Sequence, residues 1–317
     1  MFFESVQIMR NKFVWFIFAV FRVLIYYCVF VSSQIIVLLA FELLRINYDI
    51  YNGTFLLLSS IIAIPLMLLC VLVEKKISML EKYNNIICDD KWCDGRTVKL
   101  KKLSTEDTLF AIIIAFGLLG IVTLYFVLFD FIKELFNSKA VENAISDYNQ
   151  TMDRYSVVEQ DLVPFWDNLL NYFNMVFLVP IAEELMFRGL LFGTIKRRMP
   201  FWVAVLISSL IFGIGHFQLM QIGYALIAGV VLSMTYYYTD SLFASIMVHG
   251  IFNLIGGTIS AIPSDFPGAS NVVNAILDGT TTAELCAIIP SIAILCLLVK
   301  RGRQNFTIHD MIEKESD

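Results

Sequence analysis

Apolar residues run along this chain in long stretches separated by short polar ones. Eight stretches come near the roughly 20 residues a helix needs to cross about 30 Å of hydrocarbon. They lie at 22–44, 55–73, 108–131, 170–195, 201–217, 219–238, 242–259 and 283–299. The segment 13–21 is apolar too; it either lengthens the first span or lies along the interface before it. That first apolar stretch is too long for a cleavable signal, and no small-residue cleavage site follows it. The pattern predicts an all-α, polytopic membrane helix bundle of about eight transmembrane helices.

Composition and charge sharpen the picture. The chain has 317 residues, 58% of them hydrophobic and only 16% charged, more apolar surface than a water-soluble globule needs. A net charge of -5 gives no reason to expect a nucleic-acid partner, so the partners expected are the lipid bilayer and a membrane-associated substrate. Basic residues cluster after the second span (Lys75, Lys76, Lys82, Lys91, Arg96, Lys99, Lys101, Lys102), after the fourth (Lys196, Arg197, Arg198) and after the eighth (Lys300, Arg301, Arg303). With eight spans these fall on one side together with Arg10 and Lys12, which by the positive-inside rule is the cytoplasm and holds both termini. The stretches 46–53, 137–164 and 263–270 then face the other side. Arg22, Glu42 and Asp130 lie within a turn or two of span ends, where they can snorkel to water. Four of the six cysteines (Cys28, Cys70, Cys286, Cys296) sit in apolar spans and read as small hydrophobes. Cys88 and Cys93 share a polar loop at a spacing unsuited to a zinc knuckle.

The chain divides into an N-terminal membrane region at 1–160, with three spans and a cytoplasmic loop at 74–107, a core at 161–260, and a final span with its tail at 261–317. The core holds every deeply placed ionisable group. Glu183, Glu184 and Arg188 fall inside one apolar run, and each such charge costs at least a few kcal/mol unless it meets a partner or a polar cavity. Glu184 and Arg188 are four apart with the acid first, the favourable order for an intrahelical ion pair. Glu183 points about 100° round the helix and is left free. Pro180, one turn earlier, removes a backbone hydrogen bond and tends to kink the helix. Of three histidines, His309 is in the tail, while His216 and His249 are in spans, each in an i, i+4 pair: Phe212 with His216, and His249 with Asn253. Glycines 189, 193, 213, 215, 250, 256 and 257 flank these residues and permit close helix approach. Rise per residue puts Glu183 about 20 Å above Lys196 and His216 about 23 Å above Phe201, with His249 and Asn253 at about 10 and 16 Å above Leu242, depths compatible with one site.

The ordered set E-E-x-x-x-R, F-x-x-x-H and H-x-x-x-N on separate spans, over about residues 170–257, resembles the CAAX-processing and bacteriocin-processing (CPBP, or Abi) family, which includes the type II CAAX prenyl endopeptidase. Every motif position matches. The resemblance implies an intramembrane endopeptidase in which Glu183 activates a water, His216 helps to hold and deprotonate it, and His249 and Asn253 form an oxyanion hole. Glu184 and Arg188 would support the site or orient the substrate. The chemistry is coherent in its own right: attack of water on a peptide carbonyl needs a base, and the oxyanion needs donors. The resemblance also implies a protein or peptide substrate at the membrane, either a prenylated CAAX-type C-terminus or a bacteriocin or signal peptide. The plasma membrane of a prokaryote is favoured, or the endoplasmic reticulum membrane if the source is eukaryotic.

Blander readings stand beside this one. A buried ion network can simply join helices, and a lone intramembrane His or Asn is often an interhelical hydrogen bonder. The reading adopted needs no cofactor. A zinc site of Glu183, His216 and His249 is the alternative: the ligand types fit, although the familiar H-E-x-x-H spacing is absent. A non-proteolytic immunity or transport protein is a further possibility, since intramembrane acids and histidines also mark ion paths.

Overall fold

The computed structural model describes residues 2–83, 98–156, 163–197, 199–259 and 270–316. Helices dominate them: α1 (Phe2–Leu44), α2 (Asn52–Tyr83), α3 (Thr105–Phe136), α4 (Lys139–Ser156), α5 (Phe165–Phe173), α6 (Val179–Glu184), α7 (Gly193–Lys196), α8 (Phe201–Ile214), α9 (Leu219–Thr239), α10 (Leu242–Phe252) and α11 (Ser270–Ser316). Wide π-helical segments join α5 to α6 (Asn174–Leu178), join α6 to α7 (Leu185–Phe192) and extend α10 (Asn253–Ile259). Cys88, Cys93, Arg198 and most of 263–270 lie outside the described residues, as do the side chains of Arg10, Lys12 and His309.

The protein is an all-α polytopic membrane bundle. Among the described residues five helical stretches are long and apolar enough to cross a bilayer: Ile17–Leu44, Asn52–Met79, Thr105–Phe136, Leu219–Thr239 and Gly279–Gly302. Residues 13–21 continue the first helix rather than breaking from it. The remaining three predicted spans are helical but irregular. That at 170–195 is the α5–α7 run with its two π segments. That at 201–217 stops at Ile214, so its 14 residues rise only about 21 Å. It ends there because the chain turns through Gly215 and His216 to Phe217, whose φ of 59° is left-handed, before the Gln218 side chain caps α9.

Two apolar clusters hold the bundle. One centres on the π segment Leu185–Phe192, which is buried throughout, and includes Val23 and Tyr26 of α1, Met67 of α2, and Val205 and Phe212 of α8. The other joins α3, α9, α10 and α11 through Ile114, Leu118, Leu232, Val248 and Leu298. In the second, α3 and α11 lie so close that a Cβ on Gly120 would fall 2.4 Å from the Glu284 carbonyl oxygen. Leu24, Leu39, Leu72 and Leu128 face outward, as lipid-facing positions do.

Three details depart from the expectations drawn from sequence. The stretch after α3 is helical: α4 sets Ala140, Ala144 and Tyr148 on one face, and the Tyr148 ring packs against Phe126 and Tyr224. Glu42 and Asp130 are exposed, but Arg22 turns inward to Glu74 (3.8 Å). Fully buried Glu74 also accepts hydrogen bonds from Tyr26 Oη and Arg197, so it joins α1, α2 and the end of α7. Snorkelling loses there because a buried carboxylate offers Arg22 a partner at less distance than water. Finally, the chain before α3 docks on the α9–α10 corner. Leu100 pairs with Ser241 in an isolated antiparallel bridge, and Lys99 N–H donates to Tyr236 Oη at 2.9 Å.

Candidate active site

Glu183 and Glu184 end the six-residue α6, between two widened turns. The first of these turns follows from Pro180. With no N–H at 180, the preceding backbone loses a donor, and Val179 N–H bonds Asn174 O five residues back, not four. The two carboxylates then face different surroundings. Glu184 is fully buried: its Oε1 accepts from Arg188 at 2.8 Å and from His249 Nδ1 at 2.9 Å. Glu183 keeps 19% of its side chain exposed, and its Oε2 lies 3.7 Å from His249 Nε2.

Phe212 is the hub of the site. The Arg188 guanidinium stacks 4.5 Å above its ring centroid, an arrangement suited to a cation whose Nε and remaining terminal nitrogen have no hydrogen-bond partner. The rings of His216 and His249 meet Phe212 edge-on at 4.9 and 5.9 Å. Three polar side chains, from the π segment Leu185–Phe192, the turn after α8 and α10, therefore surround one aromatic ring.

Protonation follows from the partners. His216 Nδ1 lies 2.9 Å from the Phe212 carbonyl, which only accepts, so Nδ1 carries the proton and Nε2 is the acceptor. His249 Nδ1 likewise donates to Glu184, which leaves Nε2 turned toward Glu183. No hydrogen bond or ion pair joins His216 to Glu183. Asn253 begins the π segment after α10, and its Nδ2 donates to the Met175 carbonyl at 2.9 Å. The six residues singled out in the sequence thus lie on neighbouring elements, with Glu183, Glu184, Arg188 and His249 in one contiguous chain of contacts. His216 joins them through Phe212, and Asn253 lies at the margin.

A resident metal needs three ligands with free valences. Among the described residues no three His, Cys, Asp or Glu side chains converge to hold one. Both imidazoles commit Nδ1 and leave Nε2 open, as metal-ligating histidines also do. The lack of convergence, not the tautomers, keeps Glu183, His216 and His249 from forming a ready three-ligand shell.

A further polar joint lies next to the site and was not singled out in the sequence. Buried Asp167 caps α2: Oδ2 accepts from Gly53 N–H at 2.7 Å, and Oδ1 from Thr54 N–H at 2.9 Å. Asn174 Nδ2 donates to the Gly53 and Leu170 carbonyls, and Asn52 Nδ2 reaches Asn171 at 3.3 Å. The signal was available: Asp167, Asn171 and Asn174 recur at i, i+4 and i+7, one polar stripe entering an apolar span.

Comparison with known proteins places these residues in context. The family model described as type II CAAX prenyl endopeptidase Rce1-like matches residues 165–255. The chain is 36% identical over 83 residues to the UPF0177 protein YxdF of Lactococcus lactis subsp. lactis (strain IL1403), covering 26% of this chain and 45% of that protein. It is 35% identical over 74 residues to the "Putative membrane peptidase YdiL" of Bacillus subtilis (strain 168), covering 23% of this chain and 30% of that one. The chain thus spans less than half the length of these curated relatives. No solved structure matches. The stretch that matches the family model contains all three motifs, and over residues 165–255 this chain is similar to the type II CAAX prenyl endopeptidase, Rce1-like family.

Proposed function

We propose that this protein is a membrane endopeptidase that hydrolyses a peptide bond of a membrane-associated protein or peptide with a water activated by Glu183. The observation that carries the reading is the division of labour between adjacent carboxylates. Glu184 is buried and committed to Arg188 and His249, whereas Glu183 is partly open and has a second imidazole nitrogen 3.7 Å away. The family match and the relative named as a membrane peptidase support it.

In this mechanism a water sits by Glu183, with His216 Nε2 as a second acceptor. Glu183 takes a proton as the water oxygen attacks the scissile carbonyl. His249, carrying protons on both nitrogens, turns its Nε2–H from Glu183 to the developing oxyanion, while Glu184 holds the ring through Nδ1. Collapse of the tetrahedral intermediate breaks the C–N bond, and the proton on Glu183 passes to the departing amine. Arg188 holds Glu184 in place through their 2.8 Å ion pair.

The substrate is a peptide that reaches the bilayer, either a prenylated CAAX-type C-terminus or a bacteriocin or signal peptide. Relatives in two bacteria support a prokaryotic plasma membrane. The test is cleavage by the purified full chain of a prenylated CAAX peptide, its unmodified counterpart and leader-type peptides, with and without chelator. Glu183→Gln, His216→Ala and His249→Ala are each expected to lose about 10²- to 10⁴-fold in rate, and Glu183→Gln to keep the wild-type unfolding midpoint. Undiminished product from Glu183→Gln would end the reading. Loss on chelation, together with one metal per chain, would transfer the water to zinc.

A further inference from the structure

The resemblance suggests Asn253 as an oxyanion donor, a role that takes one N–H of its amide, and the other N–H is engaged with the Met175 carbonyl. We infer that Asn253 is also a positioning residue: it caps the Met175 carbonyl that Pro180 orphans, and so fixes the His249 helix against the segment bearing Glu183.

Backbone accounting makes the case. In an α-helix the Met175 carbonyl would accept from Val179 N–H, but that group bonds Asn174 O. In the π register its donor would be residue 180, which is proline and has none. Met175 O is thus left without a helical donor, and a backbone carbonyl inside an apolar run needs a partner from elsewhere. Asn253 Nδ2 supplies the donor at 2.9 Å. One turn earlier on α10, Gly250 meets the next carbonyl, whose α-helical donor would also be residue 180. A Cβ at Gly250 would stand 2.7 Å from Val176 O, so only glycine allows this approach. A carbonyl of the π segment Leu185–Phe192 also accepts from a neighbouring helix, since Ser208 Oγ of α8 donates to Phe187 O at 3.1 Å. His249 lies one turn from Asn253 on the same helix. The capping bond therefore sets the height at which the imidazole meets Glu184 and Glu183.

This inference rests on the proposed hydrolytic reading for its kinetic consequence, but not for the bond itself. The test is a double-mutant cycle between positions 180 and 253 in the full chain, read by unfolding midpoint and by kcat and KM on whichever peptide of the panel is cleaved. Pro180→Ala returns an N–H that satisfies Met175 O in the π register and frees Val179 N–H to do so in the α register. Asn253→Ala in the wild-type background is expected to lower kcat about tenfold with KM little changed, and to lower the midpoint by several degrees. In the Pro180→Ala background the midpoint loss is expected to shrink to less than half, and the kcat loss to shrink with it by the share that the capping bond carries. Equal midpoint losses in the two backgrounds would overturn the inference and leave Asn253 with substrate contact alone. Asn253→Asp, the same shape without a donor, replaces the alanine variant if that one does not fold. If no peptide is cleaved, the hydrolytic reading fails, and the midpoint cycle alone still decides the capping bond.

Discussion

Helices α1 to α3 and the run from α5 to α10 are built from similarly apolar sequence but solve different problems. The first three are long, unbroken by π turns and lined outward by exposed leucines. The second group, α9 apart, is short, interrupted twice by π segments and followed by a third, and carries a buried ion pair and two histidines near one aromatic ring. Regular helices satisfy their own backbone and ask only for lipid outside and packing inside. Irregular ones free carbonyls and turn charges inward, and they need partners from neighbouring elements. The contrast separates a frame from a site, and substitutions in each should behave differently.

The largest effect on stability is expected at the buried pair. Glu184→Leu strands Arg188 inside the bundle, and removing one partner of such a pair costs about 3–5 kcal/mol. Denaturant unfolding in detergent should show it, and cleavage should vanish as well. A near-neutral result would mean that Arg188 has a second carboxylate within reach. Next comes helix approach: Gly250→Ala is expected to push α10 from the Val176 carbonyl and lower cleavage by about 10²-fold. Gly279→Ala, where a Cβ meets nothing within 4 Å, should leave the rate unchanged. Comparable rates for the two variants would show that this approach is slack. Asp167→Ala removes the cap of α2 and is expected to cost about 1–2 kcal/mol, read as a lower unfolding midpoint. The smallest effect belongs to the frame's outer surface. Leu39→Ala and Leu72→Ala, each 58% exposed, should change stability by under about 0.5 kcal/mol. A larger loss at either would reveal a protein partner on that face.

Much of the frame was legible in the chain because hydropathy over 20 residues reports directly on bilayer crossing. The Glu184–Arg188 pair was legible too, since i, i+4 geometry is local and survives in the π segment. Other features depend on which helices become neighbours. Arg22, Glu74 and Arg197 are far apart in sequence and meet only when α1, α2 and α7 pack, so Arg22 read as a snorkelling residue. The amphipathic α4 was hidden because its apolar face is small and needs the rings of α3 and α9 to cover it. The partner of Asn253 was hidden for a third reason. Spacing shows that His249 and Asn253 share a face, but only the shifted register before Pro180 creates the carbonyl that the amide meets. The i+4 spacing thus gave the direction of that side chain and left its acceptor open.

The position of Glu74 bears on how this protein can be divided. The family model begins at residue 165, which invites treating the stretch from there to residue 255 as a module. Yet the far end of its first membrane run is fastened to α2 through Arg197 and Glu74, and α1 grips the same carboxylate with Tyr26. Excising the stretch would part Arg197 from that acid and bare the apolar side of Leu185–Phe192 now covered by α1 and α2. Recognisable ancestry and independent folding thus have different borders in this chain, and the working unit must include helices that carry no motif at all.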